Sequence, residues 1–370
     1  MSDNLIKILS FNTFSKEDIV TLLSVKSEAE REHVFNKAES IREESVGKNI
    51  YLRGLIELSN ICEKNCLYCG IRAGNKQVER YIVSEKDVIA SINHALEKNY
   101  GSVVIQSGER TDEEFVEMID GVIKKIKTIS DGKLGITLSC GEQTPETYRK
   151  WYKSGAHRYL LRIETSDPEL YYKIHPQNKK HFLVNRLVAL RHLREIGYQV
   201  GSGVMIGLPG QTVSQLADDL LFLKQMDVDM VGMGPYIEHK HTPLYQFSNN
   251  LIPKAERLNL SLVMIAVLRI MMKNINIASS TALDSLDSNG RLLAIKAGAN
   301  VLMPNLTPVK YRENYFLYDN KPYLTEADEL VENIGSSEIL KGYLIKLGEW
   351  GDSAHFFPDR NKIGLCKIQL

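Results

Sequence analysis

The chain has 370 residues, with 46 Lys and Arg against 46 Asp and Glu, and five cysteines. Balanced charge removes the electrostatic case for a nucleic-acid or anionic-membrane partner, and so few cysteines in a chain of this size make no disulfide framework. The N-terminus lacks a basic segment followed by an apolar run, and the longest apolar stretch, "LNLSLVMIAVLRIMM", is interrupted by polar residues and short for a bilayer. The expectation is a cytoplasmic chain with no membrane contact.

The first fifty residues read as two helices, "KEDIVTLLSV" and "EAEREHVFNKAESIREE". From residue 52 onward, short β-rich runs alternate with stretches of helical spacing. The runs are "LRGLIELS", "GSVVIQSG", "LGITLSC", "RYLLRIE", "YQVGSGVMIGL", "DMVGMGPYI", "NIASST" and "ANVLMP". Between them, Val88, Ile92, Ala95 and Leu96 fall on one helical face, and Phe115, Ile119, Ile123 and Ile126 on another. Ser84 and Thr111 precede acidic first turns, and Thr144-Pro145 places proline at a first helical position. Eight strands alternating with helices predict an α/β fold, a closed parallel (β/α)8 TIM barrel rather than an open doubly wound sheet. No dinucleotide GxGxxG follows the first strand. The expected division is a helical extension over 1–50, the barrel over 51–304 and a tail over 305–370. That tail reads as partly helical ("TEADELVENI", "SSEILKGYLIKLGEW") and as closing one end of the barrel.

Cys62, Cys66 and Cys69 crowd into "GLIELSNICEKNCLYCGIRAGN", in the loop after the first strand. That is the C-terminal face of a barrel, where active sites of this fold lie. A structural zinc site normally takes four protein ligands, and no CxxC or HxxxH partner exists. Chance clustering of reduced thiols fits poorly with tight spacing among polar neighbours. The third reading is a [4Fe–4S] cluster held by three cysteines, which leaves one iron open to a small molecule, much as a catalytic zinc keeps one position open. CxxxCxxC with Tyr68 before the last cysteine resembles the signature of the radical S-adenosylmethionine (SAM) superfamily. The resemblance implies that SAM chelates the open iron through its amino and carboxylate groups, and that its reductive cleavage releases a 5′-deoxyadenosyl radical.

Other stretches of the barrel rim agree. "VVIQSGE" puts small residues and Glu109 at the tip of the second strand. In "YLLRIETSDPELY", Arg162 and Glu164 share one strand face, so they pair with each other or meet a ligand. "GSGVMIGLPGQT" lets backbone approach a flat ring, with Thr212 able to cap the next helix.

Together with "RYLLRIET", "DMVGMGPYIEHKHTPL", "STAL", "GANVLMPNLTP" and "YRENYFLY", these motifs resemble the HydE family of [FeFe]-hydrogenase maturases, from about residue 51 to 318. The resemblance implies one cluster on Cys62, Cys66 and Cys69. It implies SAM contacts from Tyr68, Gln106, Gly108, Glu109, Glu164, Arg186, Met205, Gly207, Leu208 and Pro209. It also implies a substrate or anion pocket lined by Ser107, Thr137, Arg162, Ser280, Thr281, Met303 and Tyr318; the family pattern has Thr where Ser280 stands. The implied substrate is an iron complex bearing CO, cyanide and cysteine, or an amino-acid-like molecule. A reductant protein such as ferredoxin or flavodoxin and the other hydrogenase maturases are the implied partners.

Cys366 stands alone near the C-terminus, so no second cluster is expected, and Cys140 reads as core or rim filler. His239 and His241 lack a third ligand and read as structural; Glu57 reads as a network residue inside the barrel. Methylornithine synthase and biotin synthase-like enzymes share this pattern and remain alternatives, although the second needs cysteines this chain lacks. A non-catalytic Fe–S carrier is a further alternative, with no use for an adenine site.

Overall fold

Two serines begin the structured chain's first well-capped helices. Ser15 and Ser27 each accept the amide three residues on, from Asp18 and Glu30, whose carboxylates return the bond. The structure, a computed structural model, describes residues 3–322 and 326–356. Its opening helices are α1 (Asp3–Leu9), α2 (Lys16–Leu23) and α3 (Glu28–Val46). The alternating portion follows as β1 (Asn49–Ser59), α4 (Glu85–Glu97), β2 (Ser102–Ser107), α5 (Glu113–Ile129), β3 (Gly135–Ser139), α6 (Pro145–Lys153) and β4 (Arg158–Leu160). It continues with α7 (Pro168–Ile174), α8 (Leu183–Ile196), β5 (Gln199–Ser202), β6 (Met205–Ile206), α9 (Val213–Gln225), β7 (Met230–Val231) and β8 (Gly234–Pro235). Then come α10 (Lys254–Met271), β9 (Asn276–Ile277), α11 (Gly290–Lys296), β10 (Val301–Leu302), α12 (Val309–Arg312), α13 (Ala327–Ser336) and β11 (Leu344–Lys346).

The strands pair in parallel in the order β10, β1, β2, β3, β4, β5, β7, β9. Ala278 bridges Val301, and the Ser279 N–H donates to the Val301 carbonyl at 2.9 Å, so β9 meets β10 and the ring closes. β6 and β8 continue β5 and β7 toward the mouth and pair with each other. The break between them is imposed by close backbones: a Cβ on Gly203 would stand 2.0 Å from the Gly232 carbonyl oxygen. Each of the eight runs read as a strand falls on a barrel strand, with β1 starting earlier than expected, at Asn49.

The helical faces behave as their periodicity requires. Phe115, Ile119, Ile123 and Ile126 of α5 are fully buried, as are Val88, Ile92 and Ala95 of α4, while Leu96 is half-buried against the same core. Ser84 caps α4 and Thr144 caps α6 with Pro145 next, but α5 is capped by Asp112 rather than Thr111, because the Asp112 carboxylate accepts the Phe115 amide. The apolar run in α10 is buried along most of its length, and α2 and α3 pack across it.

Two elements depart from expectation. α1 was not foreseen. The stretch "SSEILKGYLIKLGEW" is not helical: it forms a 3₁₀ turn at Glu338–Leu340 and then β11, which pairs in parallel with the first residues of β1 (Asn49 with Leu344, Tyr51 with Lys346). Residues 349–353 then cross the N-terminal end of the barrel. The Gly351 carbonyl accepts from Arg53 Nη2 at 2.9 Å and Asn276 Nδ2 at 2.8 Å, and the Trp350 carbonyl from Arg158 Nη1 at 3.0 Å. The barrel therefore has a floor, and its opening faces the other way.

Candidate active site at the barrel mouth

Past Ser59 the chain folds back across the mouth, carrying Cys62, Cys66 and Cys69. Backbone bonds hold this loop to its surroundings. The Glu63 N–H donates to the Glu109 carbonyl (2.8 Å), Leu67 to Ile174 (2.9 Å) and Gly70 to Leu317 (2.8 Å), while the Leu67 carbonyl accepts from Leu244 (3.0 Å). Gly108 has to be glycine here, since a Cβ would lie 2.4 Å from the Ile61 carbonyl oxygen and 2.9 Å from Cys62 Cβ. The Glu109 N–H then reaches Cys62 Sγ at 3.4 Å.

All three thiols line one cavity of about 320 Å³, whose walls run from the cysteine loop down to Leu55, Val104 and Ala278 inside the barrel. Among the described residues, no three His, Cys, Asp or Glu side chains are grouped closely enough to hold a single metal ion. Three thiols opening into one cavity suit an iron–sulfur cluster with one iron left open, the donor set a structural zinc ion would complete with a fourth protein ligand. Burial pushes the Cys66 thiol up to about 12 and raises Cys62, with Arg186 opposing the shift at Cys66. A bound metal group must therefore displace the thiol protons.

Four charges, two of each sign, fill the wall beside the loop. Lys64 Nζ lies 3.0 Å from Glu109 Oε1 and 3.0 Å from Glu142 Oε2. Arg186 Nε donates to Glu142 Oε1 at 2.7 Å, Nη2 reaches Glu109 Oε2 at 3.5 Å, and Nη1 donates to the Arg162 carbonyl at 2.7 Å. Burial works to raise both acids. It prevails at Glu109, whereas Arg186 and Lys64 outweigh it at Glu142 and hold that carboxyl below its ordinary value. Opposite them, Arg162 donates through Nε and Nη2 to Glu164 Oε2 at 3.1 and 2.9 Å, and Nη2 also reaches the Val204 carbonyl. Glu164 adopts φ +68, a left-handed conformation that costs about 1–3 kcal/mol. Tyr68 Oη lies 3.3 Å from His175 Nε2, and the His175 ring stacks on Tyr171 at 4.0 Å.

The cavity gathers most residues singled out from the sequence: the three cysteines, Tyr68, Gln106, Ser107, Gly108, Glu109, Arg162, Glu164, Arg186, Met205, Ser280, Thr281, Met303 and Tyr318. Thr137 is placed differently. It lies lower, in a small cavity of about 30 Å³ with Arg53 and Asn276, and accepts from Arg158 Nε at 2.9 Å. Gly207, Leu208 and Pro209 are also off the wall. Gly207, at φ +80, turns against the Arg257 side chain, Gln211 Oε1 caps the Gly207 and Leu208 amides, and Leu208 packs with Leu170, Ile174, Met205, Tyr236 and Leu244.

Sequence reasoning missed Lys64, Glu142 and Lys321. Lys64 lies inside the cysteine motif and Glu142 beside Cys140, but only the fold shows whom they pair with. Lys321 forms a buried ion pair with Glu57, whose other oxygen accepts from Asn305 Nδ2 at 3.1 Å. Glu57 is thus a network residue. Cys140 is buried with its thiol toward the Ile105 carbonyl, and His239 Nδ1 accepts the His241 N–H, a local role. Cys366 lies outside the described residues.

The Radical SAM superfamily profile matches residues 56–223, from within β1 nearly to the end of α9. In fold, the chain superposes on a crystal structure of methylornithine synthase with a TM-score of 0.76 at 23% identity, covering 90% of this chain and 95% of that one. A structure of HydG, a maturase of the [FeFe]-hydrogenase, gives 0.72 at 22% identity, covering 88% and 73%. The three-cysteine loop and the profile match, together with the sequence likeness that follows, make this a radical SAM enzyme, of the class that uses a [4Fe–4S] cluster and S-adenosylmethionine. In sequence, the chain is 41% identical over 316 residues to the [FeFe] hydrogenase maturase subunit HydE of Thermotoga maritima, covering 85% of this chain and 87% of that relative. It is 27% identical to the 3-methylornithine synthase of Methanosarcina acetivorans, covering 89% of each. The chain belongs to the HydE family.

Proposed function

We propose that this enzyme acts in [FeFe]-hydrogenase maturation, on an iron–CO–cyanide–cysteine precursor of the diiron subcluster bound inside the barrel. The observation that carries the reading is the convergence of three thiols, a charged rim and a deep, floored cavity. In this reading Cys62, Cys66 and Cys69 hold the cluster. Cluster and SAM, when bound, supply a 5′-deoxyadenosyl radical. Arg186, Glu109 and Glu164 line the same cavity as Gln106 and Met205, and their charges would match both ends of a sulfonium amino acid.

In the same cavity, Arg162, Ser280 and Thr281 suit an anionic substrate. Among the described residues, Arg162 Nε and Nη2 are engaged by Glu164 and Val204, which leaves Nη1 for a ligand. The floor and closed wall would shield a reactive intermediate from water on every side but the mouth. The division into a helical extension, a barrel over 51–304 and a closing tail belongs to the same reading. So do an anaerobic cytoplasmic setting, a ferredoxin or flavodoxin as reductant and the other maturases as partners.

Anaerobic reconstitution, reduction and addition of SAM should yield 5′-deoxyadenosine, and Cys66→Ala should abolish it. The wild-type chain should also restore hydrogenase maturation in an assay lacking its own maturase of this kind. SAM cleavage without maturation would favour the second reading, a methylornithine synthase-like enzyme, which the extent of the likeness to that protein supports.

A further inference from the structure

A loop that must present three thiols at separate positions needs its shape held before any metal arrives. Arg80 is well placed for this. Its Nη1 donates to the carbonyls of Asn60 and Ile71, both at 2.7 Å, and its Nη2 to those of Arg72 at 2.7 Å and Asn75 at 3.0 Å. Asn60 precedes Cys62, and the other three acceptors follow Cys69. One planar fork therefore ties the entry of the cysteine loop to its exit, a geometry no other side chain type offers. The neighbours reinforce it. Asn60 Nδ2 donates to the carbonyls of Glu79 and Asn314, both at 2.7 Å, and Asn60 Oδ1 accepts the Tyr81 N–H at 2.8 Å, so the segment carrying Arg80 is bound to the loop it braces. Asn75, itself buried, donates to the Gly70 carbonyl at 2.6 Å.

We propose that Arg80 is the positioning residue of the cysteine loop, holding Cys62, Cys66 and Cys69 in their ligating arrangement ahead of cluster assembly. The inference rests on the reading of those cysteines as the cluster ligands. Arg80→Met removes all four bonds. Arg80→Lys keeps the charge, but an ammonium is a point donor on a stem and cannot span both ends of the loop.

The test uses the metal-free full chain under anaerobic conditions, measuring the rate at which each cysteine reacts with a thiol reagent, and then iron content after reconstitution. Cys140, 0% exposed, reports on the integrity of the barrel. In Arg80→Met the three loop thiols should react about tenfold faster or more while Cys140 stays protected, because local opening no longer breaks four charge-assisted bonds. Iron uptake should fall below about half of wild type, with Arg80→Lys between the two. Wild-type thiol rates in Arg80→Met would overturn the proposal. If Cys140 also becomes reactive in that variant, Arg80→Lys decides: faster loop thiols with a protected Cys140 support the brace, and unchanged loop thiols overturn it. A wild-type chain that takes up no iron would instead overturn the cluster reading, since the thiol rates report the brace without metal.

Discussion

Asp219 offers a prediction that can be worked through quantitatively. It sits on α9 with no exposed surface, and its Oδ1 accepts from the Ser166 N–H at 2.6 Å, the Ser166 hydroxyl at 2.6 Å and the Thr165 hydroxyl at 3.3 Å. Its Oδ2 is buried without a hydrogen-bond partner. Burial therefore pushes the carboxyl up to about 7, against the opposing pull of those three donors. Below about pH 4 folded and unfolded chains are both protonated at this site, so its contribution is fully present. Between about pH 4 and 7 the unfolded chain ionises and the folded one does not, so stability falls as pH rises, and above about 7 the loss is complete. At about 1.4 kcal/mol per unit, a gap of about three units amounts to roughly 4 kcal/mol. Asp219→Asn keeps the Oδ1 acceptor and removes the titration, while its unpartnered amide adds a pH-independent cost of about 1–3 kcal/mol. Denaturant unfolding of both proteins at about pH 5, 6, 7 and 8 should show the variant gaining on wild type by about 2–3 kcal/mol across the series. Parallel profiles would refute the reasoning, because the slope, not the offset, carries it.

Further outcomes follow from the same kind of argument. Lys321→Met strands the buried Glu57 carboxylate with Asn305 as its remaining partner among the described residues, and should cost about 3–5 kcal/mol in denaturant unfolding. Adding Glu57→Gln to it should recover much of that loss, and a double variant no better than the single one would show that the pair does not act as a unit. Gly108→Ala drives a methyl into the Ile61 carbonyl and Cys62, so iron uptake should drop while stability falls by only about 1–3 kcal/mol. Asp352→Ala removes a carboxylate partner of the buried Arg158, which keeps Thr137 and the Trp350 carbonyl; with Asp352 itself half-exposed the cost should be about 1 kcal/mol, read as faster proteolysis of residues 344–356.

Local pattern was sufficient for most of the barrel, because each strand and helix reports on its own neighbours. Phe115 through Ile126 declare a helical face wherever they sit, and the cysteine motif announces its chemistry over eight residues. What escaped depends on distant partners. "LIK" forms a strand because the first residues of β1 offer it an edge to pair with, and nothing within the tail's own sequence says so. Lys64 and Glu142 are ordinary surface residues in one dimension and half of a buried charge cluster in three. Thr137 lines a smaller cavity adjoining the main one, where its hydroxyl accepts from Arg158, and its strand position alone could not show that partner. The turn at 207–209 matched a binding motif, yet Gln211 and Arg257 already engage its backbone and its flank.

The pairing of Asn49 with Leu344 joins positions nearly at opposite ends of the barrel sequence. A nascent chain emerging from the ribosome can zip β1 through β10 in sequence, but its base stays unsealed until residues 344–353 appear. Until then Arg53, Arg158 and Asn276 aim their donors at solvent rather than at the Trp350 and Gly351 carbonyls. Such high contact order slows the last closure and makes the finished vessel dependent on a segment made after the barrel strands.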